Sequence, residues 1–299
     1  MKLENQRPNW VSVGFDYDIV EKLTAVDVSG FRLMAVRSTD RLQVFSRDCP
    51  HRGADLTQGT LHEDGYVECR FHGRRVALGA NENQCEYVSE FPVVALGPLW
   101  LTLLGGKDSG LREKVRELVT HCEFVASGSR IIAAPAQLII ENAFDAEHFE
   151  SVHGVLEVQP IQISIDSCGA LVGRTTMAVP RAPWQDRSSG DTILKLVATA
   201  YGPNLVVSHV GEPPIDYWVI TATRPLDERA SIADQILAFP IGSSSYESTS
   251  IREYMITRTQ EGLEADCLIW EAMNQDLSML PLDDLSAVAI FRRYCQGLG

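Results

Sequence analysis

Four residues stand out by type and spacing. Cys49 and His51 lie in Cys-Pro-His, and Cys69 and His72 in Cys-Arg-Phe-His, with 17 residues between the two halves. Two thiols and two imidazoles in paired loops supply a [2Fe–2S] centre of the Rieske kind, in which cysteines hold one iron and histidines the other. Imidazoles bring less negative charge than thiolates, which raises the reduction potential. A structural zinc ion is the competing reading of four such donors. Zinc motifs pair like ligands, as in Cys-x-x-Cys with His-x3–5-His. Here each half mixes one Cys with one His, Pro50 sits inside the first half and Gly73 closes the second.

A second constellation lies in Glu141-Asn142-Ala143-Phe144-Asp145-Ala146-Glu147-His148-Phe149-Glu150-Ser151-Val152-His153-Gly154. The sequence predicts a helix over 139–153. A regular α-helix places residues five apart about 140° apart around its axis, too far for one metal ion. A π-type bulge or a broken helix end brings such a pair together, and such irregularities favour functional sites. Irregular helix is therefore expected between His148 and His153. Two imidazoles and one carboxylate, leaving open positions, make the facial triad of non-haem Fe(II) oxygenases. The carboxylate must come from later in the chain, where Glu253, Glu264, Asp266, Glu271 and Asp276 are candidates. Two helical histidines without a metal are the ordinary alternative. A cluster nearby argues against it, because a cluster needs a destination for its electrons.

The two motifs together resemble those of the Rieske oxygenases, the oxygenase components of ring-hydroxylating and demethylating systems. Respiratory Rieske proteins carry an extra disulfide-bonded cysteine in each loop, where this chain has Ala54 and Phe71. The resemblance implies that Cys49, His51, Cys69 and His72 bind the cluster and that His148 and His153 bind a mononuclear Fe(II). Asp266-Cys267-Leu268-Ile269-Trp270-Glu271 resembles the Asp-x-x-x-x-Glu segment of the demethylase and steroid-hydroxylase branches, which makes Asp266 the third iron ligand, with Asp276 in reserve. Asp145 matches the aspartate that bridges a cluster histidine of one subunit to an iron histidine of the next, here His72 to His148. Asn142 is a further candidate, supporting the ligands without binding metal. A head-to-tail homotrimer follows from that bridge, as do O2 and a small organic molecule as substrates. Electrons would come from NAD(P)H through a separate reductase or ferredoxin. Hydroxylation or demethylation is favoured over ring dihydroxylation, with desaturation and oxidative cyclisation open. A different class of reading is an electron carrier or redox-responsive ligand-binding protein without catalytic iron. The joint presence of His148, His153, Asp266 and Asp145 speaks against that.

These loops need elements to hold them. Short apolar stretches broken by turns run from Val11 to Leu104 and predict strands at 11–15, 26–36, 42–45, 66–68, 91–94 and 99–104. Gly105 to Gly110 reads as a linker and 111–120 as a short helix. Further strands are predicted at 161–165, 192–197, 205–208, 218–221 and 236–239, and a last helix at 284–296. Alternation in several of these strands argues for an antiparallel sheet with one wet face. The expected fold class is α+β. An all-β Rieske domain over 1–106 and a linker over 107–120 would precede a helix-grip catalytic domain over 121–299.

Arg52, Arg70, Arg74 and Arg75 flank the cluster loops and form a candidate rim for an acidic redox partner. Arg74 stands where the family usually has tryptophan. His209 reads as a structural histidine, His62 and His121 lack context, and Trp184, Tyr201, Tyr217, Trp218 and Phe239 fit either a pocket or a core. The chain has 299 residues and a formal net charge of −14. That charge disfavours nucleic acid, whose binding depends on Lys and Arg. No apolar leader opens the sequence and no run reaches the roughly 18 apolar residues of a membrane span, so no membrane association is expected. Besides the two proposed ligands, Cys85, Cys122, Cys168, Cys267 and Cys295 show no disulfide spacing, which suits a cytoplasmic location. No Gly-x-Gly-x-x-Gly fingerprint suggests a built-in reductase.

Overall fold

A computed structural model describes residues 9–39, 41–80, 86–180, 191–212, 215–242, 249–275 and 285–297. Among the described residues, eleven short strands make up the first part of the chain. They are β1 (Trp10–Phe15), β2 (Leu23–Val28), β3 (Phe31–Arg37), β4 (Leu42–Ser46), β5 (Thr60–Leu61) and β6 (Tyr66–Glu68), then β7 (Arg75–Leu78), β8 (Tyr87–Val88), β9 (Glu90–Phe91), β10 (Val93–Leu96) and β11 (Leu99–Leu103). They form three small sheets, ordered β1-β11-β10, β2-β3-β4-β9 and β5-β6-β7-β8. The strand predicted at 91–94 is two strands, because Pro92 has no N–H to continue a ladder.

β1 explains how this part is joined to the rest. All six of its residues are buried. Val11 and Val13 face the core of the β2-β3-β4 sheet. Trp10 and Phe15 face a different core, shared with Leu205, Ile220 and Ile236 from late in the chain. A register shift between Ser12 and Gly14 inserts one residue, so that Phe15 returns to the side of Trp10. Ser12 on the same side donates to the buried Asp234 carboxylate. Asn204 Nδ2 donates to Asn9 Oδ1 at 2.5 Å, and Arg224 to the Val13 carbonyl at 3.0 Å.

After the predicted linker, α1 (Leu111–His121) buries Leu111, Val115 and Leu118 in that shared core. One long sheet then dominates: β12 (Cys122–Ile132), β13 (Glu157–Val158), β14 (Gln162–Ile165), β15 (Leu171–Val179), β16 (Thr192–Ala200), β17 (Leu205–Glu212), β18 (Ile215–Pro225) and β19 (Ser231–Pro240). Its order is β12-β19-β18-β17-β16-β15-β13, with β14 also on β15, and every pairing is antiparallel. This is the α+β architecture expected. The described residues of the predicted closing helix form α5 (Ala287–Cys295).

Two expectations about helices need correction. The helix predicted over 139–153 is three pieces: α2 (Ala136–Glu141), a 3-10 turn at Asn142–Phe144, and α3 (Ala146–His153). Asp145 makes the break. Its backbone is extended (φ −104°, ψ 102°), and its carboxylate accepts the Glu147 N–H at 3.1 Å as an N-cap. The second concerns α4 (Thr249–Trp270), 22 residues long and absent from the sequence reading. Its apolar residues do not hold one stripe, because it packs on β12 with one side and on α3 with another.

Gly97 supplies a test of the packing between the two parts. It opens the two-residue turn between the register partners Leu96 and Leu99, at φ +57°. A Cβ there would lie 2.4 Å from Phe124 Cβ on β12. Gly97→Ala combines a disfavoured backbone with overpacking, so a loss of about 2–4 kcal/mol is expected in denaturant unfolding. A change below about 0.5 kcal/mol would mean that Phe124 and the turn move apart freely.

Candidate active site

The cluster loops are built alike. The Cys49 N–H donates to the Ala54 carbonyl (2.9 Å) and the Gly53 N–H to the Cys49 carbonyl (2.8 Å). In the second loop the Cys69 N–H donates to the Arg74 carbonyl (2.8 Å) and the Gly73 N–H to the Cys69 carbonyl (2.8 Å). Both glycines have positive φ, +70° and +65°, which allows the chain to close on itself. The donors sort by type. Cys49 and Cys69 are buried, with their thiols in hydrogen-bond reach of each other. His51 and His72 are exposed, with ring centroids 4.9 Å apart. Thiols paired inside and imidazoles paired outside suit a two-iron cluster with a different ligand pair on each iron. Desolvation holds the His51 imidazole below its ordinary pKa, with Arg74 and His72 adding to the effect. Desolvation also raises the Cys49 thiol.

The predicted rim is partly neutralised within the chain. Arg74 pairs with Glu86, and Arg75 pairs with Asp64 while lying 4.5 Å from the centre of the Tyr66 ring. Arg52, Arg70 and Phe71 are exposed.

The second constellation converges across two helices. One donor atom each from His148, His153 and Asp266 lies within 4.8 Å of the other two. The two rings are 4.9 Å apart at 83°, and His153 Nε2 is 3.2 Å from Asp266 Oδ1. The expected irregularity lies at the end of α3, with no bulge inside it. Gly154 is left-handed (φ 65°, ψ 28°), and its N–H donates to the Phe149 carbonyl five residues back. The Val155 N–H donates to the same carbonyl at 3.1 Å. This widened last turn accompanies the approach of the His153 ring to that of His148.

His148 has a fixed tautomer. Its Nδ1–H donates to the Asp145 backbone carbonyl at 2.6 Å, leaving the Nε2 lone pair as the free donor. Burial pushes this imidazole below its ordinary pKa, partly offset by the bond to Asp145. Within the chain Asp145 therefore reaches His148 through its main chain, while its carboxylate caps α3.

Of the carboxylate candidates, Asp266 alone is brought to the histidines among the described residues. Glu253 is exposed, Glu264 pairs with Arg130 at 3.7 Å, and Glu271 accepts the Ala133 N–H at 3.2 Å. Asp276 lies outside the described residues, as do Trp184 and Cys85. His209 points away from the site, stacked 4.5 Å from Trp218 with Nε2 3.6 Å from Asp216. His62 pairs with Glu68 at 3.1 Å, and His121 ends α1. Tyr201, Trp218 and Phe239 belong to cores, whereas Tyr217 faces the cavity.

That cavity, about 520 Å³, lies between the sheet and α3 and α4, with His148, His153 and Asp266 in its wall. Asn142 also lines it. The sheet contributes Met177, Leu196, Val206, Val210 and Val219, a largely apolar surface that the sequence reading did not assemble. Strand alternation was the available signal, but five strands had to be placed in register before it identified a common face.

A buried ion pair ties α5 to the end of α2, beside the site. Arg292 on α5 grips Glu141 with Nε at 2.7 Å and Nη2 at 2.6 Å, one residue before Asn142. Burial raises the Glu141 carboxyl above its ordinary value, with Arg292 opposing the rise. Arg292→Met leaves that carboxylate buried and alone, with an expected cost of about 3–5 kcal/mol. Adding Glu141→Leu should recover most of that loss in chemical denaturation. Equal stability of the single variant and the parent would rule out this role.

Comparisons with known proteins agree with this geometry. A model of the Rieske [2Fe-2S] domain matches residues 9–92, and a model of the 3-ketosteroid 9alpha-hydroxylase C-terminal domain matches residues 113–295. Among solved structures, a mutant of Pseudomonas putida CBB5 NdmA with caffeine is 17% identical at a TM-score of 0.68, over 96% of this chain and 88% of that one. Pseudomonas putida CBB5 NdmB is 15% identical at 0.68, over the same shares. Dicamba monooxygenase bound to dicamba is 16% identical at 0.66, covering 99% of this chain and 96% of that one. No curated protein is matched by sequence. The family's cofactors are a Rieske cluster and a mononuclear iron supplied with electrons by a reductase. The twin Cys/His loops, the second domain matched over most of its length and the fold shared with known oxygenases make this chain an oxidoreductase, a member of the Rieske non-haem iron oxygenases.

Proposed function

We propose that the chain is a terminal oxygenase that hydroxylates or demethylates a small organic substrate with O2, at an Fe(II) held by His148, His153 and Asp266. The observation that carries this reading is the convergence of those three side chains in the wall of a largely apolar cavity. Fe(II) held there would supply reductive activation of dioxygen, and Cys49, His51, Cys69 and His72 would hold the cluster that provides the electrons. The protein's own part is positional. The Asp145 carbonyl fixes the His148 tautomer, the sheet side chains hold an apolar molecule against the ligand face, and the same surface limits water.

The exposed His51 and His72 support electron transfer across a subunit boundary. In that arrangement Asp145 links His72 of one copy to His148 of the next, and a head-to-tail contact of this kind closes into a ring, here a homotrimer. A separate reductase or ferredoxin, fed by NAD(P)H, docks near Arg52 and Arg70. Among the described residues no helix is long and apolar enough to cross a membrane. The domain limits of 1–106, 107–120 and 121–299 are part of the same reading.

The test is iron and acid-labile sulfide per chain on anaerobically prepared protein, with EPR of the reduced form. Iron exceeding sulfide by one per chain, together with a Rieske signal, supports the proposal. Equal amounts after attempted Fe(II) loading would instead favour an electron carrier.

A further inference from the structure

Among the described residues, the cavity wall holds one buried polar group without a partner. Gln235 on β19 is 8% exposed, and its Oε1 has no hydrogen-bond partner. Its Nε2 donates to Thr221 Oγ1 on β18 at 3.2 Å. The two residues are register partners, so their side chains share one face of the sheet, and both line the cavity. Their neighbour in register on β17 is Val206. A polar pair therefore sits on the sheet side of the cavity among Leu196, Val206, Val210 and Val219. A buried amide oxygen left unpaired has given up its water without a replacement, which is costly. A ligand group that pairs with it recovers that cost on binding.

The charges of the cavity narrow what the ligand is. Apart from the three proposed metal ligands, its charged lining among the described residues is Arg258 and Glu261. These two are more than half exposed and pair with each other at 2.8 Å. The Tyr217 phenol is pushed up to about 12 by desolvation and then by Tyr254, so it stays a neutral hydroxyl. No unpaired cation in the described wall awaits a carboxylate, and no unpaired anion outside the metal site awaits an ammonium. The Gln235 amide offers either face. Swung toward the cavity, Oε1 accepts from a hydroxyl. Turned over, the amide donates through Nε2 to a carbonyl while the Thr221 hydroxyl donates to Oε1.

Resting on the catalytic reading above, we infer that this cavity selects an uncharged, largely apolar molecule bearing a hydroxyl or a carbonyl, and that Gln235 and Thr221 bind that group. Gln235 is then a specificity residue. It anchors one end of the substrate on the sheet while the apolar body reaches toward α3 and α4.

The experiment is calorimetric binding to the full chain with both metals, under anaerobic conditions and without reductant, so that no turnover occurs. The probes are tetralin, β-tetralol, β-tetralone, and the corresponding carboxylate and amine. The alcohol, the ketone or both should bind at least about tenfold tighter than tetralin and than either charged probe, the size of one buried hydrogen bond. Gln235→Leu should bring the favoured probe down to the level of tetralin. Gln235→Glu, nearly isosteric, should disfavour the ketone and recruit the amine. Tightest binding of the carboxylate or the amine to the parent chain would overturn the inference. So would a preference that survives both substitutions, or the failure of every probe to bind. Binding is read independently of turnover, so selectivity without mononuclear iron would sink the catalytic reading alone. Full iron without selectivity would sink this inference alone.

Discussion

Replacing Asp266 by alanine is expected to remove one iron per chain while leaving acid-labile sulfide and the cluster's visible absorption unchanged. The reason is geometric. His148 and His153 come from one short helix, and Asp266 on α4 completes the three-donor face at 3.2 Å from His153. Two imidazoles alone make a weak site for Fe(II), which favours a carboxylate in its facial set. Loss of the carboxylate should weaken iron by more than the roughly 10–100-fold that follows loss of a supporting group, and turnover should fall below detection. Retained iron would transfer the ligand role to Asp276, and retained turnover would sink the site as drawn. The cluster is insulated from the change because Cys49 and Cys69 lie in a separate core with Phe45, Leu56 and Val67.

Asp145→Asn is expected to keep both metals and lose at least about a hundredfold in turnover. The substitution is informative because it preserves what the residue does within its own chain. Asparagine caps a helix as well as aspartate does, so α3 keeps its start. The bond that fixes His148 uses the main-chain carbonyl of residue 145, which the substitution does not touch. What changes is the carboxylate that, in the proposed arrangement, is a charged acceptor toward a cluster imidazole of another copy. The checks are single-turnover oxidation of the cluster and metal content in the same preparation. A variant that oxidises its cluster at the parental rate would place the electron path elsewhere. Asp145→Ala should add about 1 kcal/mol of destabilisation from the lost cap, separating the two roles.

The parts legible in the sequence were those that chemistry confines to short stretches. A cluster loop needs its cysteine, its histidine and its closing glycine within five residues, so Cys49 to Gly53 and Cys69 to Gly73 carry their own explanation. His148 and His153 were legible for the same reason, although the irregular backbone expected between them lies at the end of α3, in the turn closed by Gly154. The break at Asp145 was missed because the apolar pattern around Leu138, Ile140 and Phe144 continues through it, and a cap is a local signal that periodicity overrides. α4 was missed because a helix gripped on more than one side shows no single apolar stripe. The cavity was the least legible part. Gln235 looks ordinary in Ala233-Asp234-Gln235-Ile236, and only the folded sheet pairs its amide nitrogen with Thr221 and leaves its amide oxygen without a partner.

β1 has a consequence for how such a protein can be taken apart. Its two faces belong to two cores, and its hydroxyl at Ser12 accompanies a carboxylate, Asp234, that burial has already pushed toward the neutral form. Cutting the chain near residue 106 would strip Trp10, Phe15 and Leu101 of their cover in one piece and leave Asp234 without Ser12 in the other. The electron-carrying half is therefore not a detachable cassette. It should melt together with the sheet it leans on, in one calorimetric transition, and chimaeras that exchange it between relatives should need both sides of β1 exchanged with it.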